Sequence, residues 1–149
     1  MNKIKKFEEY IENKVVKKRG SDKIKAQDLT TEAEKDKKFL EEIKKKIPLN
    51  DDNANNFIEQ VYKIILKTIR ARMMIDGYKA TGHSAHEAEV AYMINLGFSE
   101  AETEFMDEIR YSRNGILYYG SSFNKDYAEK ILVFFEKIYP RLKKMVESN

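Results

Sequence analysis

The sequence contains no cysteine. Disulfides, thiolate metal centres and cysteine nucleophiles are thereby excluded, and stability has to come from packing alone. Tryptophan is missing too, and only two prolines and six glycines punctuate the chain. Strand-rich proteins of this length need more turn residues than that, so helices are expected throughout. No stretch approaches the run of about 18 apolar residues that spans a membrane. The opening MNKIKKFEEYIENK carries charges where a secretory leader needs an apolar core, so a cytoplasmic protein is expected. Also lacking are a glycine-rich phosphate loop, HExxH, GxSxG and any alternating strand pattern. The carboxylate pairs Asp51 with Asp52 and Glu41 with Glu42 have no partnering histidines, so no metal and no cofactor are expected.

Charge is abundant and uneven. Of 149 residues 36% are charged, with a net charge of +3. Residues 1–50 hold 15 Lys and Arg against 10 Asp and Glu, whereas residues 51–149 hold 13 against 15. A basic amino-terminal third permits contact with a polyanion, although Lys- and Glu-rich helices more often present a plain solvated face.

Apolar spacing supplies the fold class. Ile4, Phe7, Ile11 and Val15 recur at three and four residues and predict a first amphipathic helix, ended by Gly20. Ser21 and Asp22 suit a short helical turn. Thr30 or Thr31, with Glu34, suits the start of a second helix that reaches about Lys46 and stops before Pro48. Its thin apolar content, Phe39, Leu40, Ile43 and Ile47, predicts an edge position. The strongest period follows: Phe57, Val61, Ile64, Ile65, Ile69, Met73 and Met74 predict a long central helix to about Tyr78. Lys63, Lys67 and Arg70 form a basic row on its outer side, expected to be ordinary surface.

Gly77 and Gly82 predict a turn. Ser84 with Glu87 and Ser99 with Glu102 carry capping-box spacing for the next two helices. A last helix begins near Asn124 and runs past Pro140 through Tyr127, Ile131, Phe134, Phe135, Ile138 and Leu142. The expected architecture is all-α, a single-domain up-and-down bundle of five to six helices.

One segment departs from the apolar pattern. In EIRYSRNGILYYG, residues 108–120, polar and aromatic groups crowd together. On a continuous helix Arg110, Asn114 and Tyr118 share a face, with Arg113 beside them. Guanidiniums grip phosphate bidentately, a carboxamide reads a sugar or base edge, and Tyr118 or Tyr119 can stack on a base. The competing reading pairs Arg110 and Arg113 with Glu104, Asp107 or Glu108 and sends the tyrosines into the core.

A long helix leading to GYKATGHSAHEAEVAYMINLG, then a helix carrying RYSRNG and Tyr118, resembles the HEPN (higher eukaryotes and prokaryotes nucleotide-binding) domains. The likeness spans roughly residues 51–139, within a helical core of residues 51–146 that follows basic amino-terminal helices over residues 1–48. The family's motif is an Arg, often followed by Asn, with a His four to six residues beyond the Arg. Arg113 and Asn114 match its first part, and Tyr118 stands where the His is usual. The resemblance implies a homodimer that binds RNA or a nucleotide through Arg110, Arg113, Asn114, Tyr118 and Tyr119. In the family, metal-independent RNA cleavage is assigned to the Arg and His acting across the dimer interface. Arg113, Asn114 and Tyr118 occupy the catalytic places, but a tyrosine near its ordinary pKa of about 10 is a poor general base. Ribonuclease activity is therefore expected to be weakened or absent.

Some family members are toxins whose nucleotidyltransferase antitoxin modifies a tyrosine two positions after the motif His, and that slot here is Gly120. A toxin–antitoxin setting and a nucleotidyltransferase partner follow as expectations, with a helical protein-interaction module as one alternative. Another is an active metal-independent ribonuclease with a different proton carrier. His83 and His86 both precede Arg113 and reach it only through the fold. Their expected roles are in the turn and the helix start.

Overall fold

The computed structural model describes residues 3–147. It is a bundle of six helices with one small sheet, in the order α1 (Phe7–Glu12), β1 (Val16–Lys18), α2 (Lys23–Lys46), α3 (Ala54–Asp76), β2 (Tyr78–Ala80), α4 (Ala85–Asn95), α5 (Glu100–Tyr119) and α6 (Lys125–Glu147). The all-α expectation holds, and α3 is the central element, in contact with α2, α4, α5, α6 and β2. Its long apolar period is buried almost all round: Phe57, Val61, Ile64, Ile65, Ile69 and Met73 are each at most 3% exposed.

The amino-terminal region departs from expectation. The first helix spans only Phe7–Glu12, and Lys14 then adopts a left-handed φ of 63°, which no helix continues through. The chain turns into β1, which pairs antiparallel with β2 in the register Val16↔Ala80, Lys17↔Lys79 and Lys18↔Tyr78. The predicted turn between Gly77 and Gly82 is thus in part a strand. Gly77 makes this return possible: it ends α3 at φ 85°, and a Cβ there would collide with the Arg19 carbonyl. The Arg19 N–H donates to the Gly77 carbonyl at 2.6 Å.

The second helix also starts earlier than expected. Asp22 caps it by accepting from the Lys25 N–H at 3.0 Å, and the helix runs unbroken through Thr30, whose hydroxyl donates to the Ala26 carbonyl at 2.8 Å. The buried residues of α2 are Ala26, Thr30, Ala33 and Leu40, mostly small ones that let it lie close to α3. Phe39 and Ile47, counted in its thin apolar content, are 53% and 48% exposed.

Ser99 and Glu102 form the expected capping box of α5, at 3.0 and 2.9 Å. Ser84 precedes α4 without a side-chain cap, its φ of −95° and ψ of 12° lying outside the extended region of a capping serine, and Glu87 accepts from the Tyr10 hydroxyl at 2.8 Å. Helix α5 continues through Gly115, where a side chain would press on Ser121, and ends at Gly120 in the left-handed conformation. Ser112, Tyr127 and Glu108 then tie α5 to α6, with the Tyr127 hydroxyl 2.8 Å from Ser112 and donating to Glu108 at 2.9 Å. Burial first, and Glu108 second, push the Tyr127 phenol up to about 12 against the Ser112 hydrogen bond. None of the described helices is long and apolar enough to cross a membrane.

Candidate functional site

Where α3, α4 and α5 come together a cleft of about 380 Å³ opens to solvent. Helix α3 supplies Tyr62 and, one turn after another, Lys63, Lys67 and Arg70; α4 supplies His86 and α5 supplies Arg113. The basic row expected to be plain surface is therefore one wall of a concave site. Its position follows from the periodicity of α3: the apolar stripe faces the core, and the residues just beside it line the groove against the neighbouring helices.

Most cations here already have partners. Lys67 and Lys63 converge on Asp36 of α2 at 2.8 and 3.6 Å. Arg70 grips Glu89 of α4 with two hydrogen bonds, of 2.6 and 3.1 Å. Arg113 differs. Among the described residues it has no carboxylate partner, and its guanidinium lies 5.3 Å from the centre of the Tyr62 ring. That cation–π contact orients the charge without neutralising it. Four cations, Lys63, Lys67, Arg70 and Arg113, stand with three carboxylates, Asp36, Glu59 and Glu89, so one anionic group would balance the cleft.

Beneath Arg113, Tyr62 is only 2% exposed and its hydroxyl has no hydrogen-bond partner among the described residues. The side-chain oxygen of Gln60, in the same lining, is also unpartnered. Burial pushes the Tyr62 phenol up to about 12, although the charges of Arg113 and Arg110 pull the other way. The hydroxyl therefore keeps its proton and remains an unused donor. Orphaned polar atoms in an interior are costly, and both of these lie beneath the surface of the cleft, closed to solvent.

Glu89 and His86 form the second notable group. Burial alone would raise the Glu89 carboxyl, but hydrogen bonds from His86 and Arg70, with the Arg70 charge, outweigh it and hold the group below the usual carboxylate range. Arg70 is held above its own ordinary value, chiefly by the hydrogen bond to Glu89. An ionised Glu89 can only accept, so His86 Nδ1, 2.9 Å from Glu89 Oε1, must carry the donated proton. In the neutral ring this leaves Nε2 with a free lone pair on a side chain that is 46% exposed at the cleft wall.

The residues singled out in the sequence are dispersed. Arg110 is committed to Asp107 at 2.7 Å and lies 3.6 Å from Glu87, with only 15% of its side chain exposed. This is the pairing that the competing reading anticipated, for this arginine and not for Arg113. Asn114 is half-buried on the next turn. Tyr118 and Tyr119 are 71% and 83% exposed, so the tyrosines do not fill the core. Five residues turn a helix by about 500°, which places Tyr118 about 140° around α5 from Arg113. Within one chain the two do not share a face. The residues that share the cleft with Arg113, namely Tyr62, Arg70 and His86, are 51, 43 and 27 positions earlier in the sequence, and only helix packing reveals them. No group of three or more His, Asp or Glu side chains able to hold a metal occurs among the described residues. Comparison with models of known families, with curated proteins and with solved structures gives no significant match.

Proposed function

We propose that the α3–α4–α5 cleft binds a phosphate group of RNA or of a nucleotide, with Arg113 as the principal grip, in a bundle of HEPN type. The observation that carries this reading is the unneutralised Arg113 guanidinium, held over the Tyr62 ring in a concave, net cationic site. A planar guanidinium with free donors suits two parallel hydrogen bonds to phosphate oxygens. Lys63, Lys67 and Arg70 add a general attraction for an anion.

A homodimer belongs to the same proposal. Tyr111, Leu117, Tyr118 and Tyr119 are 59%, 46%, 71% and 83% exposed along the C-terminal half of α5, an unusual concentration of large apolar groups in contact with water. Because Tyr118 faces away from Arg113 of its own chain, a two-fold arrangement is the geometry that would bring one chain's Tyr118 toward the other's Arg113.

Titration of labelled single-stranded RNA against the Arg113→Ala and Lys125→Ala variants, at moderate salt and after confirming folding, tests the reading. Loss of a bidentate phosphate contact is expected to weaken binding by about 1–3 kcal/mol, roughly 5- to 150-fold, while loss of a remote surface charge changes it little. Equal affinities, or no binding by the parent protein, would remove the reading. The exposed tyrosines would then favour a protein-interaction module whose partner is a nucleotidyltransferase or another helical protein.

The His86–Glu89 pair favours a second reading, retained metal-independent cleavage of RNA. In that chemistry the 2′-oxygen bonds to the neighbouring phosphorus as the 5′-oxygen leaves. His86 Nε2 takes the 2′-hydroxyl proton, and the departing 5′-oxygen takes one from water. Incubation with RNA in a chelator checks it: a 2′,3′-cyclic phosphate product that disappears in His86→Ala supports cleavage, and intact RNA with the parent protein excludes it.

A further inference from the structure

Behind the wall formed by Arg70 and His86 lies a second cavity, of about 350 Å³, which shares those two residues with the cleft around Arg113. Its chemistry is different. Met73, Met74, Tyr78 and Ala85 make its walls mainly apolar, Lys79 and Glu89 are charged members of the lining besides Arg70, and the turn at residues 81–82 contributes hydroxyl and peptide groups. The Tyr78 ring is fixed in place by edge contacts with Phe7 and Tyr92, whose centroids are 5.2 and 5.7 Å away. Two methionines beside a fixed aromatic ring make a polarizable surface that adapts to flat groups. Each cavity falls at the lower end of the range for small-ligand sites, about 300–1,000 Å³.

A cationic cleft and a mainly apolar slot on either side of a shared Arg–His wall fit a ligand with an anionic end and a flat, apolar end bearing a polar rim. We propose that the second cavity receives the base of a nucleoside 5′-phosphate whose phosphate is held by Arg113 and whose ribose crosses the Arg70–His86 wall. This rests on the phosphate-binding reading of the first cleft and adds to it a base site. The roles divide accordingly. Arg113 and the basic row recognise the phosphate, which every nucleotide and sugar phosphate shares. Met73, Met74, Tyr78 and the rim at residues 81–82 recognise the base, which distinguishes one nucleotide from another. His86, fixed through Nδ1 to Glu89, presents its other nitrogen at the junction, where a ribose hydroxyl would lie. The same unit occurs as a free mononucleotide and as the 5′-phosphorylated end of RNA.

Calorimetric titration of the full chain with the four ribonucleoside 5′-monophosphates and with ribose 5-phosphate tests the proposal. At least one nucleotide is expected to bind about tenfold or more tightly than ribose 5-phosphate, a gain that one buried flat group readily supplies. Ala85→Phe, which fills the second cavity from the start of α4, should reduce that advantage to within about twofold while leaving ribose 5-phosphate binding unchanged; Ala85→Leu provides a milder filling should the larger ring disturb the fold. Arg113→Ala should weaken both ligands. If ribose 5-phosphate binds as well as every nucleotide, or if the advantage survives both fillings, the base site is overturned and the phosphate cleft stands. If none of the phosphate compounds binds, the phosphate reading and the base site fall together. A 5′-phosphorylated trinucleotide identifies the source: tighter binding than the mononucleotide assigns the site to an RNA end, and weaker binding assigns it to the free nucleotide, each in support of the base site.

Discussion

Replacing Glu89 by glutamine tests the electrostatic frame on which the cleft stands. The side chain of Glu89 is 3% exposed and serves two partners, with two hydrogen bonds from the Arg70 guanidinium and one from His86. Glutamine keeps the volume and one acceptor but removes the charge, so the Arg70 guanidinium loses its counterion. Breaking a buried ion pair from one side costs about 3–5 kcal/mol. Arg70 is 34% exposed and His86 is 46% exposed, so water compensates part of this, and a loss of about 2–3 kcal/mol is expected. For a chain of this length that corresponds to a fall in Tm of roughly 4–12 °C.

The pH dependence gives the same substitution a second signature. The carboxyl of Glu89 is held below its ordinary value in the folded state, so its contribution is present above the unfolded carboxylate pKa and is lost as pH falls through the lower, folded value. The stability difference between parent and Glu89→Gln should therefore be constant near neutrality and shrink on acidification. Urea unfolding at neutral and acid pH measures both. A neutral-pH loss below about 0.5 kcal/mol, or a difference that grows in acid, would refute the reasoning.

Three other substitutions probe separate links in the fold. Gly77→Ala should destabilise the protein by more than about 1 kcal/mol, because the left-handed φ and the Arg19 carbonyl both oppose a Cβ; thermal unfolding measures the loss. Ser99→Ala removes the serine half of the capping box, remote from the cleft, and should cost about 1 kcal/mol in urea unfolding without changing ligand affinity. Tyr127→Phe removes a hydroxyl shared by Ser112 and Glu108 and should cost about 1–2 kcal/mol, seen as faster amide exchange where α5 meets α6.

What the sequence made legible was whatever is settled over short spans. The Ser99–Glu102 box closes within three residues, and the apolar period of α3 repeats over six turns, so both could be read directly. The beginning of α2 was harder, because its buried stripe is Ala26, Thr30 and Ala33, small residues that an apolar count passes over. The β1–β2 pair could not be read locally: each strand has three residues, and Val16 meets Ala80 across more than sixty positions. The candidate site divides in the same way. Arg113 stood out because its neighbours depart from the helical pattern. Tyr62, Arg70 and His86 did not, since a buried tyrosine, a basic row and a histidine at a helix start are ordinary until three helices meet. Arg110 and Arg113 look equivalent in sequence and differ in the fold only because Asp107 and Glu87 lie within reach of the first.

The most direct test of phosphate recognition follows the arginine side-chain Nε–H signals by nuclear magnetic resonance during titration with a ribonucleoside 5′-monophosphate. The account predicts a large, saturable shift for Arg113, a smaller one for Arg70 across the same cleft, and none for Arg19 or Arg141. Shifts at Arg19 or Arg141 with Arg113 unmoved, or no shift at any arginine at millimolar nucleotide, would contradict it.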